Sequence, residues 1–196
     1  TMVAEARALD ATAIVALGTA ALRTAGDAAQ VIARIAARTG IRIEVVSGEE
    51  ESRLAFLGVG PDLAIGDESL VVFDTGGGST QFTFGHGARV DERFSLPIGA
   101  VRFTERFGLD RAVSAERLRE ARAAIRVELA PVGDRARPEA LVGIGGAVTN
   151  LVAVQLAPDP YDPDVVRGAR LEATELERQI ERYRTLDGDA RRSTVG

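Results

Sequence analysis

The run Leu70-Val-Val-Phe73, continued by Asp74-Thr-Gly-Gly-Gly-Ser-Thr80 and then by Gln81-Phe-Thr-Phe84, constrains this chain more than any other stretch. An apolar strand delivers a carboxylate at its end. Three glycines follow, able to take positive φ and to bring backbone N–H groups against an anion with no Cβ in the way. Two hydroxyls close the loop, and the chain resumes as an alternating strand. Dinucleotide-binding and P-loop glycine motifs open a helix instead, so a strand–loop–strand context excludes both. A plain hairpin turn needs fewer glycines than this.

Composition narrows the chemistry further. The 196 residues hold no Cys and a single His, and all 24 basic residues are Arg. Thiol nucleophiles, thiolate zinc sites, Schiff-base lysines and histidine-cluster metal sites are therefore excluded. A Ser-His-Asp triad would have to use His86, which sits in a Gly-His-Gly turn and reads as exposed and structural. A net charge of −5 argues against general nucleic-acid binding. No apolar run reaches the ~20 residues of a membrane span. Catalysis must then rest on carboxylates, hydroxyls, Arg and backbone amides.

The order of elements is mixed strand and helix, which predicts an α/β fold. Helical spacing marks residues 1–10, and Ile14–Leu17 and Ile41–Val46 read as strands. Asp27 and Ser47 each open a capping-box pattern, and the second helix carries Leu54, Leu57 and Phe56 as its apolar stripe. Residues 58–68, rich in Gly and acids, read as a connection between domains 1–57 and 69–196. Strands are expected at 70–73, 81–84, 89–96 and 141–144, and helices at 100–107, 114–129, from Val148 to Leu156, and 171–186. The Arg-rich helices read as solvated faces with acid partners at i,i+4.

Three further features are candidates for function. Val142-Gly-Ile-Gly-Gly146 is a second glycine loop, this time entering a helix, where unpaired amides favour anions. Close strand-to-helix packing explains the same glycines equally well. Glu49-Glu50-Glu51 begins the helix after Ser47, where acids complement the helix dipole. Arg23 follows a strand end, a place suited to a phosphate-binding guanidinium or simply to a surface arginine.

Taken together, these pieces resemble the exopolyphosphatase/guanosine pentaphosphate phosphohydrolase (Ppx/GppA) family. The matching stretches are Ala20-Ala-Leu-Arg-Thr-Ala25, Ile43-Glu-Val-Val-Ser-Gly-Glu-Glu-Glu-Ser-Arg-Leu54, Leu70 to Gln81, Ser95-Leu-Pro-Ile-Gly-Ala-Val-Arg102 and Gly143-Ile-Gly-Gly-Ala-Val-Thr-Asn150. The resemblance implies the two-domain actin-like, sugar-kinase (ribonuclease H-like) fold, with the site in the cleft between domains. It implies a cytoplasmic, magnesium-dependent hydrolase that releases terminal phosphate from inorganic polyphosphate, with guanosine pentaphosphate as the alternative substrate. Dimers are common in the family. By the same resemblance Glu51 is the catalytic base, and Arg23 binds phosphate together with Gly76, Gly77, Gly78, Ser79, Thr80, Gly145 and Gly146. Asp74 is the carboxylate near the metal.

The chain departs from the family pattern in three places. Gln81 stands where the family places a metal-site glutamate, and an amide binds magnesium more weakly than a carboxylate. The family's Asp-x-Gly-Ser-Asn-Ser-like phosphate loop does not occur, and the chain stops at Gly196, before the family's closing Pro-x-Arg-Ala-Asp region. The expected fold is thus incomplete at both ends. Gln81 also motivates another reading, a catalytically weakened phosphate- or nucleotide-binding module. A sugar or acetate kinase fits less well, because the Ser-Gly-Glu-Glu-Glu block belongs to the phosphatases.

Overall fold

The computed structural model describes residues 2–63 and 66–192. The elements run α1 (Met2–Ala8), β1 (Ala16–Gly18), α2 (Ala20–Thr24), α3 (Ala28–Thr39), β2 (Ile43–Val45), α4 (Gly48–Leu63), β3 (Ser69–Thr75), β4 (Thr80–His86) and β5 (Arg89–Leu96). They continue as α5 (Ala100–Phe107), α6 (Ala115–Glu128), α7 (Ala130–Gly133), β6 (Ala140–Ile144), α8 (Gly146–Leu156), α9 (Pro163–Val166), α10 (Ala173–Thr185) and α11 (Gly188–Arg192). The chain divides into two compact units, Thr1–Leu54 and Ala55–Gly196. The α/β expectation holds in both.

In the first unit β1 and β2 pair in parallel, with Gly18 opposite Val45. Helices α2 and α3 make the crossover that a parallel pair requires. The two cap signals behave differently. Ser47 Oγ accepts from Glu50 N–H at 3.1 Å, whereas Asp27 at the start of α3 makes no side-chain cap bond.

The second unit is built on a four-stranded sheet in the order β5-β4-β3-β6. The first three strands form an antiparallel meander, and β6 joins β3 in parallel. Alternation along β3 separates two cores. Leu70 and Val72 pack on one face with Phe56 and Val59 of α4. Val71 packs on the other with Phe82 and Leu96, flanked by Leu129 and Val132. Phe73, Phe82, Phe94 and Phe84 stack in a row on that second face.

Helix α4 differs from its expected extent and apolar stripe. Residues 58–63, within the stretch read as a connection, continue the helix, and 64–65 lie outside the described residues. Among the residues of α4 whose burial is described, Phe56 and Val59 are the buried apolar ones, while Leu54 is 39% exposed. Burial of Phe56 against the sheet outweighs the weak helix propensity of the following Gly residues. Among the Arg-rich helices the acid partners sit at i,i+3 rather than i,i+4, as in Arg117–Glu120, Arg178–Glu175 and Arg184–Glu181. Arg122 instead reaches from α6 to Glu177 of α10. No helix among the described residues is long and apolar enough to cross a membrane.

Candidate functional site

The candidate residues gather into two groups, one in each unit. In the first, both members follow the carboxyl ends of the parallel pair. Arg23 lies on α2, just after β1, and Glu51 lies in the first turn of α4, just after β2. Arg23 Nη1 donates to Glu51 Oε2 at 2.8 Å and to the Val46 carbonyl at 2.9 Å. Their side chains are 27% and 25% exposed, so the pair is partly sheltered yet open to solvent. Gly48 lies below it, its missing Cβ 3.6 Å from Arg23 Nη2. Neighbouring Glu50 turns the other way, into a bidentate pair with Arg53 at 2.8 and 2.9 Å. That pairing holds the Arg53 guanidinium above its ordinary pKa, chiefly through the Glu50 hydrogen bond. The acidic triplet is therefore not uniform, and Glu51 alone of Glu50 and Glu51 faces Arg23.

In the second unit, Asp74, next to last in β3, lies directly opposite Gln81 of β4. Gln81 is in turn opposite Ser95 of β5, so Ser95, Gln81 and Asp74 form one row on one face of the sheet. Gln81 Nε2 donates to Ser79 Oγ at 2.8 Å and reaches Ser95 Oγ at 3.5 Å. On the other side of Asp74, β6 delivers Gly145. Gly145 takes φ 82 and ψ 169 at the N-terminus of α8. A Cβ there would fall 2.3 Å from Asp74 Oδ1. Only glycine lets the strand end close on the carboxylate. The second glycine loop and the Asp74 loop are thus brought together, as a pair.

The first loop uses its glycines differently from expectation. None of Gly76, Gly77 and Gly78 lies in the left-handed region. The steric need lies in Gly99 instead: it is buried, and a Cβ on it would fall 2.3 Å from the Gly77 carbonyl oxygen, whereas one on Gly76 would meet nothing closer than 3.5 Å. Gly76 N–H closes the turn by donating to Ser79 O at 2.9 Å, so it is not offered to an anion. The loop carbonyls turn away from the open side. Gly76 O accepts from Ala100 N–H and Gly77 O from Arg102 N–H, at 2.9 and 3.0 Å. Gly78 O accepts from Arg102 Nε at 2.9 Å. Among the described residues the amides of Gly77, Gly78 and Ser79 have no protein partner, and the space beside Gly78 is open.

Thr80, expected among the phosphate-binding residues, is turned inward instead. It is 3% exposed, and its hydroxyl donates to Ile98 O at 2.7 Å beside Thr75 Oγ1. Strand alternation puts position 80 on the Phe82 face, away from Asp74. Gly99 and Arg102 were missed as site residues. Their signal was a Gly immediately before a helix with an Arg three positions on. His86 lies apart at the far end of β4, paired with Asp91 at 2.7 Å.

Magnesium asks for hard oxygen ligands and commonly takes one or two carboxylates plus substrate phosphate. Asp74, the hydroxyls of Ser79 and Ser95 and the amide oxygen of Gln81 are such donors, and Asp74 is the carboxylate among them. No group of three or more His, Cys, Asp or Glu able to hold a metal occurs among the described residues. The set therefore fits a magnesium shared with phosphate oxygens, not one caged by protein alone.

The family model described as the Ppx/GppA phosphatase family matches residues 3–192. The chain belongs to the Ppx/GppA phosphatase family. A solved structure of the Aquifex aeolicus PPX-GPPA enzyme is 30% identical, with a TM-score of 0.85, over 97% of this chain and 63% of that one. A structure of an exopolyphosphatase-like protein is 25% identical, with a TM-score of 0.81, over 98% and 62%. The fold also matches an exopolyphosphatase from Cytophaga hutchinsonii at 22% identity and a TM-score of 0.79, over 94% and 61%. This Ppx/GppA chain spans less than two thirds of each. Its α/β architecture is that of the family, the actin-like fold implied by the resemblance.

Proposed function

We propose that this chain supports hydrolysis of the terminal phosphoanhydride bond of inorganic polyphosphate, with magnesium as the metal. The observation that carries the reading is the Glu51–Arg23 pair, a carboxylate and a guanidinium 2.8 Å apart in a partly sheltered, solvent-reachable place. A substrate phosphate competes with Glu51 for Arg23, whose fork of N–H donors matches phosphate oxygens. Glu51 then accepts a proton from water as the water oxygen bonds to the terminal phosphorus. The bridging P–O bond breaks, its electron pair leaving with the shortened chain, and inorganic phosphate is released. The amides of Gly77, Gly78 and Ser79 and those at the start of α8 bind phosphate oxygens. Asp74, with Gln81 beside it, would hold magnesium, which when bound neutralises charge on the phosphate oxygens.

These 196 residues carry net charge −5, so a polyanion must be held here by such focused donors rather than by overall attraction. The residues assigned here address phosphate groups, and none addresses a guanine. Guanosine pentaphosphate, which offers the same terminal anhydride, is the competing substrate. Gln81, an amide opposite Asp74, favours a second reading, a binding module with weakened turnover.

The test is phosphate release from long-chain polyphosphate and from guanosine pentaphosphate, with magnesium, by the full-length protein and its Glu51→Gln variant. The expected result is release from polyphosphate that the variant lowers by about 10²–10⁴-fold while polyphosphate binding is retained. Release that survives Glu51→Gln undiminished would overturn the assignment of the base. Binding without release from either substrate would favour the binding module.

A further inference from the structure

The Gly76–Ser79 turn is held from behind by a single helix. Helix α5 is anchored by Phe103, 5% exposed and stacked on Phe107 at 5.8 Å between ring centroids. Its first turn takes all three glycine carbonyls through Ala100 N–H, Arg102 N–H and Arg102 Nε. A peptide whose carbonyl is fixed on one side presents its N–H to the other. This arrangement therefore dictates where the free amides of Gly77, Gly78 and Ser79 point. Arg102 itself is exposed and spends only Nε on Gly78 O at 2.9 Å. Among the described residues its outer guanidinium nitrogens meet no acid and no carbonyl.

We propose that Arg102 serves the glycine loop twice: Nε braces the Gly78 carbonyl, and the outer N–H groups bind an oxygen of the phosphate chain that the loop amides hold. This rests on the reading of the 76–79 turn as a phosphate loop. The chemistry is economical because a guanidinium has donors in a fixed planar fork. One edge can face a carbonyl while the other faces an anion. Lysine carries the charge but has no second, fixed donor at the Nε position.

Glutamine separates the two roles. Its Nε2 follows the same carbons as arginine Nε, so Arg102→Gln keeps a donor for Gly78 O and removes the outer fork and its charge. The experiment is calorimetric titration of the full-length protein with tripolyphosphate at fixed ionic strength, for the wild type, Arg102→Gln and Arg102→Lys. The amide resonances of Gly77 and Gly78 without ligand are followed alongside. The expected result is binding weakened about tenfold or more in Arg102→Gln, with those resonances unmoved, and a smaller loss in Arg102→Lys. Wild-type affinity in Arg102→Gln would reduce Arg102 to a brace and overturn the proposal. Weakened binding with displaced Gly77 and Gly78 resonances would overturn it too, by tracing the loss to loop shape. A wild type that binds no tripolyphosphate, with folding intact, would overturn the phosphate-loop reading and the proposal together.

Discussion

Gly145→Ala places the strongest demand on the geometry around Asp74. Gly145 occupies φ 82 and ψ 169, a conformation that costs a side-chain-bearing residue about 1–3 kcal/mol. The new Cβ would also fall 2.3 Å from Asp74 Oδ1. Asp74 would have to swing aside, and a swing of about 30° off its rotamer costs about 0.5–1.5 kcal/mol. The two contributions sum to about 1.5–4.5 kcal/mol. At about 3 °C per kcal/mol for a unit of this size, the melting transition of Ala55–Gly196 should fall by about 5–13 °C. Gly146→Ala is the internal comparison, because a Cβ there meets nothing within 4 Å. Its melting temperature should stay level or rise slightly, Ala being the better helix former. Scanning calorimetry of both variants reads the difference. Equal melting temperatures would refute the close approach of Gly145 to Asp74, and with it the joining of the two glycine loops.

Gln81→Glu should set two carboxylates directly opposite one another, since Asp74 and Gln81 are cross-strand partners. Without metal this should cost up to about 1 kcal/mol, and magnesium should restore the melting temperature and reach half-maximal activity at lower concentration. A variant indifferent to magnesium in both respects would remove position 81 from the metal site. Glu175 gives a pH prediction: its hydrogen bond from Arg178, then that from Gln179, hold its pKa at about 2 instead of 4.5. A carboxylate depressed on folding stabilises the fold above its unfolded pKa and loses that contribution as pH falls. The melting-temperature advantage of wild type over Glu175→Gln should therefore be full above about pH 4.5 and disappear as pH falls towards 2.

Much of the second unit could be read from residues alone, because its signals are local. Leu70-Val-Val-Phe73 alternates between two cores that the strand period assigns automatically. Glu51 and Arg23 were each ambiguous as residues, and only the parallel pairing of β1 with β2 makes them neighbours. Thr80 faces inward for a related reason. A hydroxyl next to a glycine run looks like a ligand, yet the same period that places Asp74 and Gln81 on one face puts Thr80 on the other. The helix at 58–63 has a different origin. Gly58 and Pro61 argue against a helix by propensity, and the burial of Phe56 at 1% exposure and Val59 at 8% decides otherwise. Arg102 stayed unassigned because its role depends on a carbonyl 24 positions away.

Both units use one solution for placing these residues. In the first, β1 and β2 run parallel, and Arg23 and Glu51 follow their carboxyl ends. In the second, β3 and β6 run parallel, and Asp74 and Gly145 stand at theirs. Parallel strands end together on one edge, so the loops and helix starts beyond them are brought side by side however far apart in sequence they lie. At that edge a following helix turns its first N–H groups outward, which suits phosphate, while the strand end supplies a fixed position for a carboxylate. Position along the strand is what separates Asp74 from Leu70 and Val72 on the same face: those two are buried in the core, and Asp74, at the end, meets Gly145 instead. A carboxylate moved two residues back, to position 72, would lie in a site that is 2% exposed, against the apolar packing of Phe56 and Val59. The availability of Asp74 for the proposed chemistry, and the burial of Val72 in the core, thus follow from where the parallel pair ends.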